Sequence, residues 1–142
     1  MGETIEQQTK TLRYERKFLV DQIDARQARA IIKRHPCLFY EPYPPRYVNN
    51  LYLDTPEMDY YFDNVDGSQH RQKVRIRWYH DLFGPVADPR LEFKFKNGLV
   101  GTKRVYPLPS FALDNHFDHD VYQALIHTAD LPERIKHYLR NL

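Results

Sequence analysis

The stretch RQKVRIRWYH, at residues 71–80, alternates charged and apolar side chains at almost every position. Successive side chains of a β-strand point to opposite faces of its sheet. The pattern therefore predicts a strand with one apolar face, which packs on a core, and an opposite face that carries Lys73, Arg75 and Arg77. The rest of the architecture follows from this strand, because it requires a sheet with one apolar side and one charged side.

A second stretch, LEFKFK at residues 91–96, repeats this division, with Glu92, Lys94 and Lys96 on one face. Same-sign charges two residues apart on a strand stand roughly 7 Å apart and repel each other. A bound anion, or carboxylates placed between the cations, can compensate such a row. An oligophosphate would suit it, because arginine offers a planar fork to phosphate oxygens and lysine a mobile point charge.

The net charge of +2 conceals an uneven distribution of charge along the chain. Residues 71–104 hold nine Lys and Arg against three acidic residues, a net charge of +6, which leaves −4 for the rest. Two other interpretations stay open on this pattern. A charged strand face is often only solvated, and a basic face with aromatic side chains can bind nucleic acid. The aromatic residues of the two strands, however, alternate with basic ones and so face the core, except for Tyr79.

Acidic side chains share the predicted basic faces. RYERKFLV, at residues 13–20, favours a strand that places Glu15 beside Lys17, and Glu92 lies likewise beside Lys94. Mg²⁺ and Mn²⁺ prefer carboxylate oxygens and also bind phosphate. We therefore expect Glu15 and Glu92 to hold a divalent cation, Mn²⁺ or Mg²⁺, beside the phosphate ligands.

The remaining sequence completes an α+β pattern in which helices flank an antiparallel sheet. Residues 1–11 form a polar lead-in, and residues 12–142 are expected to form a single domain. Further elements are predicted as follows: strands at 47–54 and 102–108, a helix from Asp21 to Pro36, a helix at 57–65, a turn at 81–89, a hairpin turn at Asn97-Gly98, and a C-terminal helical stretch that Asp118 or Asp120 caps and Leu131-Pro132 interrupts.

Several classes of protein are excluded by composition. The longest run of apolar, Gly and Pro residues, at 82–87, is far below the ~18 residues that a membrane span needs. The N-terminal sequence MGETIEQQTK has no apolar core of a signal peptide. One cysteine, Cys37, cannot form an internal disulfide or a thiolate cluster. These features predict a soluble cytoplasmic protein.

Four blocks of the chain, taken together, resemble a known family. They are RYERKFLV at 13–20, NNLYLDT at 49–55, KVRIRWY at 73–79, and LEFKFKNG at 91–98 followed by Lys103-Arg104. In order and spacing they are similar to the N-terminal half of a VTC domain, the polyphosphate polymerase domain of the triphosphate tunnel metalloenzyme superfamily, which is related to the CYTH group. The resemblance covers about residues 12–108.

The resemblance implies a fold of eight antiparallel strands closed into a tunnel, of which this chain would form the first half. In the polymerase members, a nucleoside triphosphate gives its terminal phosphoryl group to a growing polyphosphate chain inside that tunnel. The family pattern implies metal binding by Glu92 and by Glu15, which could instead pair with a neighbouring base. It also implies phosphate binding by a set of basic residues: Lys17, Arg75, Arg77, Lys94 and Lys103.

The chain departs from the family pattern after the fifth predicted strand. The family's second half supplies more tunnel strands, more cations and a metal-binding glutamate, whereas this chain continues into a helical segment. Five strands do not close an eight-stranded barrel. We therefore expect a domain incomplete at its C-terminus, a second chain or second copy that completes the barrel, or a half-domain without turnover.

Two functions of other kinds remain as alternatives to the polymerase. One is a non-catalytic module that binds polyanions or RNA, although the inward aromatics make nucleic acid the less favoured partner. The other is a triphosphatase or cyclase of the CYTH type, which would act on the same triphosphate and release a different product.

Overall fold

The computed structural model describes residues 13–14, 19–41, 43–98 and 100–142. These residues divide into two compact units. One unit contains residues 13–14, 47–98 and 100–142, and it holds the sheet described below. The other contains residues 19–46, apart from position 42, and it holds a single helix.

Five antiparallel strands form the main sheet of the larger unit. Their bounds are β1 (Arg13–Tyr14), β2 (Val48–Leu53), β3 (His70–Tyr79), β5 (Arg90–Asn97) and β6 (Val100–Pro107), and between them in the chain lies the short strand β4 (Gly84–Val86). The order across the sheet is β1-β6-β5-β3-β2. The described strands thus form an open sheet that is not closed into a barrel. The expected α+β fold with an antiparallel sheet and flanking helices is confirmed, and the tunnel stays a prediction.

The apolar face of this sheet forms the core together with helices from the C-terminal part of the chain. These helices are α3 (His119–Thr128) and α4 (Glu133–Leu139), and α2 (Asp59–Val65) lies beside β3. Val74, Ile76 and Leu91 of the sheet are fully buried, as are Ile126 of α3 and Leu139 of α4. The alternation read from the sequence therefore separates core from charged face as predicted.

Carboxylate side chains cap the N-terminal ends of two of these helices. The Asp118 side chain caps α3 by accepting from the Val121 N–H at 3.0 Å, as the sequence indicated. The Asp54 carboxylate, just after β2, accepts from the N–H groups of Tyr60 and Tyr61 in the first turn of α2. These bonds satisfy donors that a helix start otherwise leaves without partners.

Several strand boundaries in the structure differ from the predicted ones, because they depend on pairing between distant parts of the chain. The first strand was expected at 13–20, but residues 15–18 lie outside the described residues and residues 19–20 are not in a strand. The turn expected at 81–89 contains β4, which pairs with a strand that the sequence did not reveal, β7 (Phe111–Leu113). Strands of three residues are too short to show a period of two, so only long-range pairing defines them.

The smaller unit contains the helix α1 (Ala25–Arg34). Its N-cap is Asp24 rather than the predicted Asp21, because Asp24 and Gln27 form a reciprocal capping box. The helix ends before Pro36, as predicted. No helix in the described part of the chain is long and apolar enough to cross a bilayer.

Candidate oligophosphate site

Strand register gathers the basic side chains of three neighbouring strands on one face of the sheet. Residues directly opposite each other in an antiparallel pair share a face. The register pairs Arg75 with Glu92, Lys73 with Lys94, and Lys94 with Lys103. We call this surface the cationic face, and its basic members on β3, β5 and β6 are Arg71, Lys73, Arg75, Arg77, Arg90, Lys94, Lys96 and Lys103. Glu92 is the one acidic residue of those strands on this face.

Glu92 lies at the centre of the cationic face and is only 4% exposed. Its Oε2 accepts from Arg75 Nε at 2.9 Å and from Arg75 Nη2 at 2.6 Å. Its Oε1 accepts from Lys103 Nζ at 3.0 Å. The guanidinium of Arg77 completes the group, with Nη1 at 3.7 Å from Oε2. Strands β3 and β6 thus place three cations around the buried carboxylate of β5.

The charges in this cluster stabilise one another. Burial alone would raise the pKa of Glu92, but the hydrogen bonds from Lys103 and Arg75 outweigh it and hold that pKa below its ordinary value. Burial would likewise lower the pKa of Arg75, and the hydrogen bond to Glu92 reverses the effect and raises it. Both groups are therefore charged at neutral pH.

The edge strand β2 supports the two arginines with neutral side chains. Asn50 lies opposite Arg77, and its Oδ1 accepts from Arg77 Nε at 2.9 Å. Tyr52 lies opposite Arg75, and its hydroxyl accepts from Arg75 Nη1 at 3.4 Å. These contacts orient both guanidinium groups without adding negative charge. The contribution of Asn50 and Tyr52 depends on register, which the sequence pattern does not specify.

Three lysines form a row across β3, β5 and β6, beside the Glu92 cluster. In this row Lys73, Lys94 and Lys103 face one another in register, which puts neighbouring Cβ atoms roughly 4.5–5.5 Å apart. Lys94 is exposed and makes no hydrogen bond or ion pair with any residue that the structure describes. The ammonium group of Lys73 lies 5.9 Å from the centre of the Tyr52 ring. Adjacent like charges of this kind favour a bound anion.

The structure brings together four of the five predicted phosphate ligands. Arg75, Arg77, Lys94 and Lys103 share the cationic face, whereas Lys17 and Glu15 lie outside the described residues. Lys73 joins the face without having been predicted as a ligand. The alternation in RQKVRIRWYH already placed it beside Arg75, and the register across to Lys94 shows that it belongs to the same row.

The described residues do not by themselves fit a Mn²⁺ or Mg²⁺ site. Such ions take several oxygen ligands, and Glu92 is the only carboxylate on the cationic-face side of β3, β5 and β6. Both of its oxygens accept hydrogen bonds from cations. Across the described residues there is no group of three His, Cys, Asp or Glu side chains that could hold a metal. Glu92 has instead the environment of an internal counter-ion.

The chain was compared with protein-family models, curated proteins and solved structures. Neither the curated proteins nor the solved structures contain a match to this chain. The family model of the VTC domain matches residues 12–141. That match includes the strands of the cationic face and continues through α3 and α4, beyond the 12–108 stretch that carries the resemblance in the sequence. Because it spans nearly the whole sequence, the chain belongs to the VTC domain family.

Proposed function

We propose that the cationic face binds a linear oligophosphate, either the triphosphate of a nucleotide or a polyphosphate chain. One observation carries this proposal: on β3, β5 and β6, eight basic side chains share one face with a single carboxylate of the same strands, which is buried beneath them. A solvated strand face would mix charges of both signs at its surface. Membership of the VTC domain family supports a role in polyphosphate chemistry.

The geometry of the face suits a chain of phosphates better than a single one. Neighbouring strands lie about 4.7–4.9 Å apart, so the lysine row extends across about two strand spacings. Further along β3 on the same face, after Lys73, Arg75 and Arg77 add two guanidinium groups. Arginine and lysine together can contact successive phosphates of one chain.

For the reaction we propose phosphoryl transfer to polyphosphate. A terminal oxygen of the polyphosphate chain forms a new bond to the γ-phosphorus of a nucleoside triphosphate. The bond from that phosphorus to the β–γ bridging oxygen breaks, and the nucleoside diphosphate leaves with the bond's electron pair. The protein's part is to align both chains and to stabilise negative charge, which Arg75, Arg77 and the lysine row can do. Lys17 is a further phosphate ligand that we propose, and a second chain or copy would supply the opposite wall of a tunnel.

The first prediction compares two substitutions that each remove one positive charge. One, at Lys94, lies on the cationic face of β5, and the other, at Arg104, lies on the opposite face of β6. Lys94→Ala is expected to weaken tripolyphosphate binding about 10-fold, since a hydrogen bond to a charged group contributes about 1.5–3 kcal/mol. Arg104→Ala is the matched control, because Arg104 is exposed and pairs with Phe93 on the other face. Calorimetric titration in EDTA at physiological salt measures both. Equal losses in the two variants would indicate a response to overall charge, as expected of a non-specific polyanion binder.

The second prediction concerns the product formed from ATP. Incubation of the protein with ATP and Mn²⁺ is expected to yield ADP and polyphosphate chains, visible on a polyacrylamide gel stained for polyphosphate. Release of inorganic phosphate alone would assign a triphosphatase, and a cyclic nucleotide would assign a cyclase. Binding of tripolyphosphate without any turnover would limit the function to binding. Parallel reactions in EDTA show whether turnover requires the metal.

A further inference from the structure

Glu92 presents a physical problem for a site that binds anions. A buried carboxylate repels phosphate, and its burial is costly unless it is paired and hydrogen-bonded. Glu92 is 4% exposed and lies within the face that we propose for oligophosphate. Its retention there needs a reason other than attraction of the ligand, and a metal does not supply one among the described residues, since both oxygens are occupied by cations.

The contacts of Glu92 determine the positions of three cations. Arg75 directs its Nε–H and one Nη2–H to Oε2, which fixes the plane of its guanidinium group. Lys103 reaches Oε1 from β6, and Arg77 lies at 3.7 Å from Oε2. Without the carboxylate, these three like charges would repel one another and move apart. With it, the cluster keeps a net positive charge and a defined spacing.

We infer that Glu92 is a positioning residue, which holds Arg75, Arg77 and Lys103 in the arrangement that receives phosphate oxygens, and which acts through these cations rather than as a ligand of a metal ion. The inference rests on the proposed function, since it concerns the same face. It differs from the metal-binding role that the sequence predicts for Glu92. It also gives the cationic face an internal support that neither the family match nor the charge pattern assigns.

The test begins with Glu92→Gln, which keeps the shape of the side chain and removes its charge. We expect the affinity for tripolyphosphate in EDTA to fall about 10-fold, the usual effect of losing one well-placed charged hydrogen bond, although the face gains one positive charge. Glu133→Gln is the matched control, because Glu133 is exposed in α4 and away from the cationic face. Unchanged or tighter binding by Glu92→Gln would overturn the inference. A loss that appears in Mn²⁺ but not in EDTA would assign Glu92 to a metal and would overturn it as well.

Glu92→Asp separates the effect of side-chain length from the effect of charge. Aspartate keeps the negative charge but is shorter by one methylene, so it cannot engage Arg75 and Lys103 with the same geometry. We expect its tripolyphosphate affinity to fall too, and an affinity equal to wild type would overturn the inference, because the positions of the contacts would then not matter. This variant also provides the measurement if Glu92→Gln fails to fold.

A ligand-independent measurement separates this inference from the proposed function. In the NMR spectrum of the wild-type chain, the Arg75 Nε–H should exchange slowly with water, because it is bonded to a buried oxygen. In Glu92→Gln that exchange should become at least severalfold faster. If wild-type protein does not bind tripolyphosphate, the proposed function fails. Positioning by Glu92 is then judged from the exchange measurement, and it fails if the Arg75 exchange rate is the same in both proteins.

Discussion

The double substitution Arg75→Ala/Arg77→Ala is expected to lower the affinity for tripolyphosphate by about 100-fold or more. Each guanidinium group can make charge-assisted hydrogen bonds to phosphate oxygens, and each such bond contributes about 1.5–3 kcal/mol. Loss of two therefore costs about 3–6 kcal/mol of binding free energy, which corresponds to at least two powers of ten in Kd. Isothermal titration calorimetry with tripolyphosphate at physiological salt measures the change.

Two controls make this result specific. Arg104→Ala/Arg134→Ala removes the same charge from exposed positions outside the cationic face, on β6 and α4, and should change the affinity by less than about threefold because screened surface charges act weakly. Arg75→Lys/Arg77→Lys retains charge but loses the planar fork, so an intermediate affinity is expected. An affinity of Arg75→Ala/Arg77→Ala within threefold of wild type would contradict the assignment of the face to oligophosphate.

Removal of both arginines also changes the environment of Glu92. The carboxylate would keep the Lys103 hydrogen bond and lose both bonds from Arg75. A buried carboxylate with fewer partners lowers the stability of the fold, so the thermal unfolding of each variant must be measured beside its affinity. The Arg→Lys variant, which keeps two cations near Glu92, reports on binding if the alanine variant is too unstable.

Much of this fold could be predicted from the sequence, because its longest strands carry a strict alternation. The pattern around Val74 and Ile76 fixes which side of β3 is buried, and the structure confirms it. The same alternation places Arg75 and Arg77 on the opposite face. This alternation depends only on residues that are neighbours in the sequence, so it can be recognised without knowledge of any tertiary contact.

The environment of Glu92 could not be predicted in the same way. Alternation shows that Glu92 shares a face with Lys94, but only the register across β3, β5 and β6 shows that Arg75 and Lys103 reach its two oxygens. Sequence chemistry alone suggested a metal ligand, because carboxylates near phosphate sites often bind divalent cations. The distances to three cations instead support the positioning role that we propose for Glu92.

The C-terminal helices show a second limit of sequence interpretation. The motifs that carry the family resemblance end near residue 108, and the later stretch was expected only as a helical segment. The structure places α3 and α4 on the apolar face of the sheet, where Ile126 and Leu139 are fully buried. The hydroxyl of Tyr122 in α3 donates to the Leu139 carbonyl of α4 at 2.9 Å. The two helices therefore belong to the same core as the strands that form the cationic face.

Leu139→Ala is expected to lower the free energy of unfolding by about 2–5 kcal/mol, the range for a fully buried leucine that leaves a cavity. Small domains are stable by only about 5–15 kcal/mol, so this is a large fraction of the total. Leu82→Ala is the matched control, because Leu82 is 50% exposed, and exposed positions change stability by about 0.5 kcal/mol or less. Urea unfolding followed by circular dichroism measures both variants.

The same variant tests how the two faces of the sheet depend on each other. Leu139 lies on the apolar side, so it makes no contact with bound phosphate, and folded Leu139→Ala should bind tripolyphosphate with wild-type affinity. As urea or temperature unfolds the variant, binding should disappear together with the sheet, because the apolar side chains of β3 and β5 need the helices to cover them. Stability of Leu139→Ala within 1 kcal/mol of wild type would show that α4 is not part of this core. The charged face would then be supported by the strands alone, and the C-terminal helices would need another role.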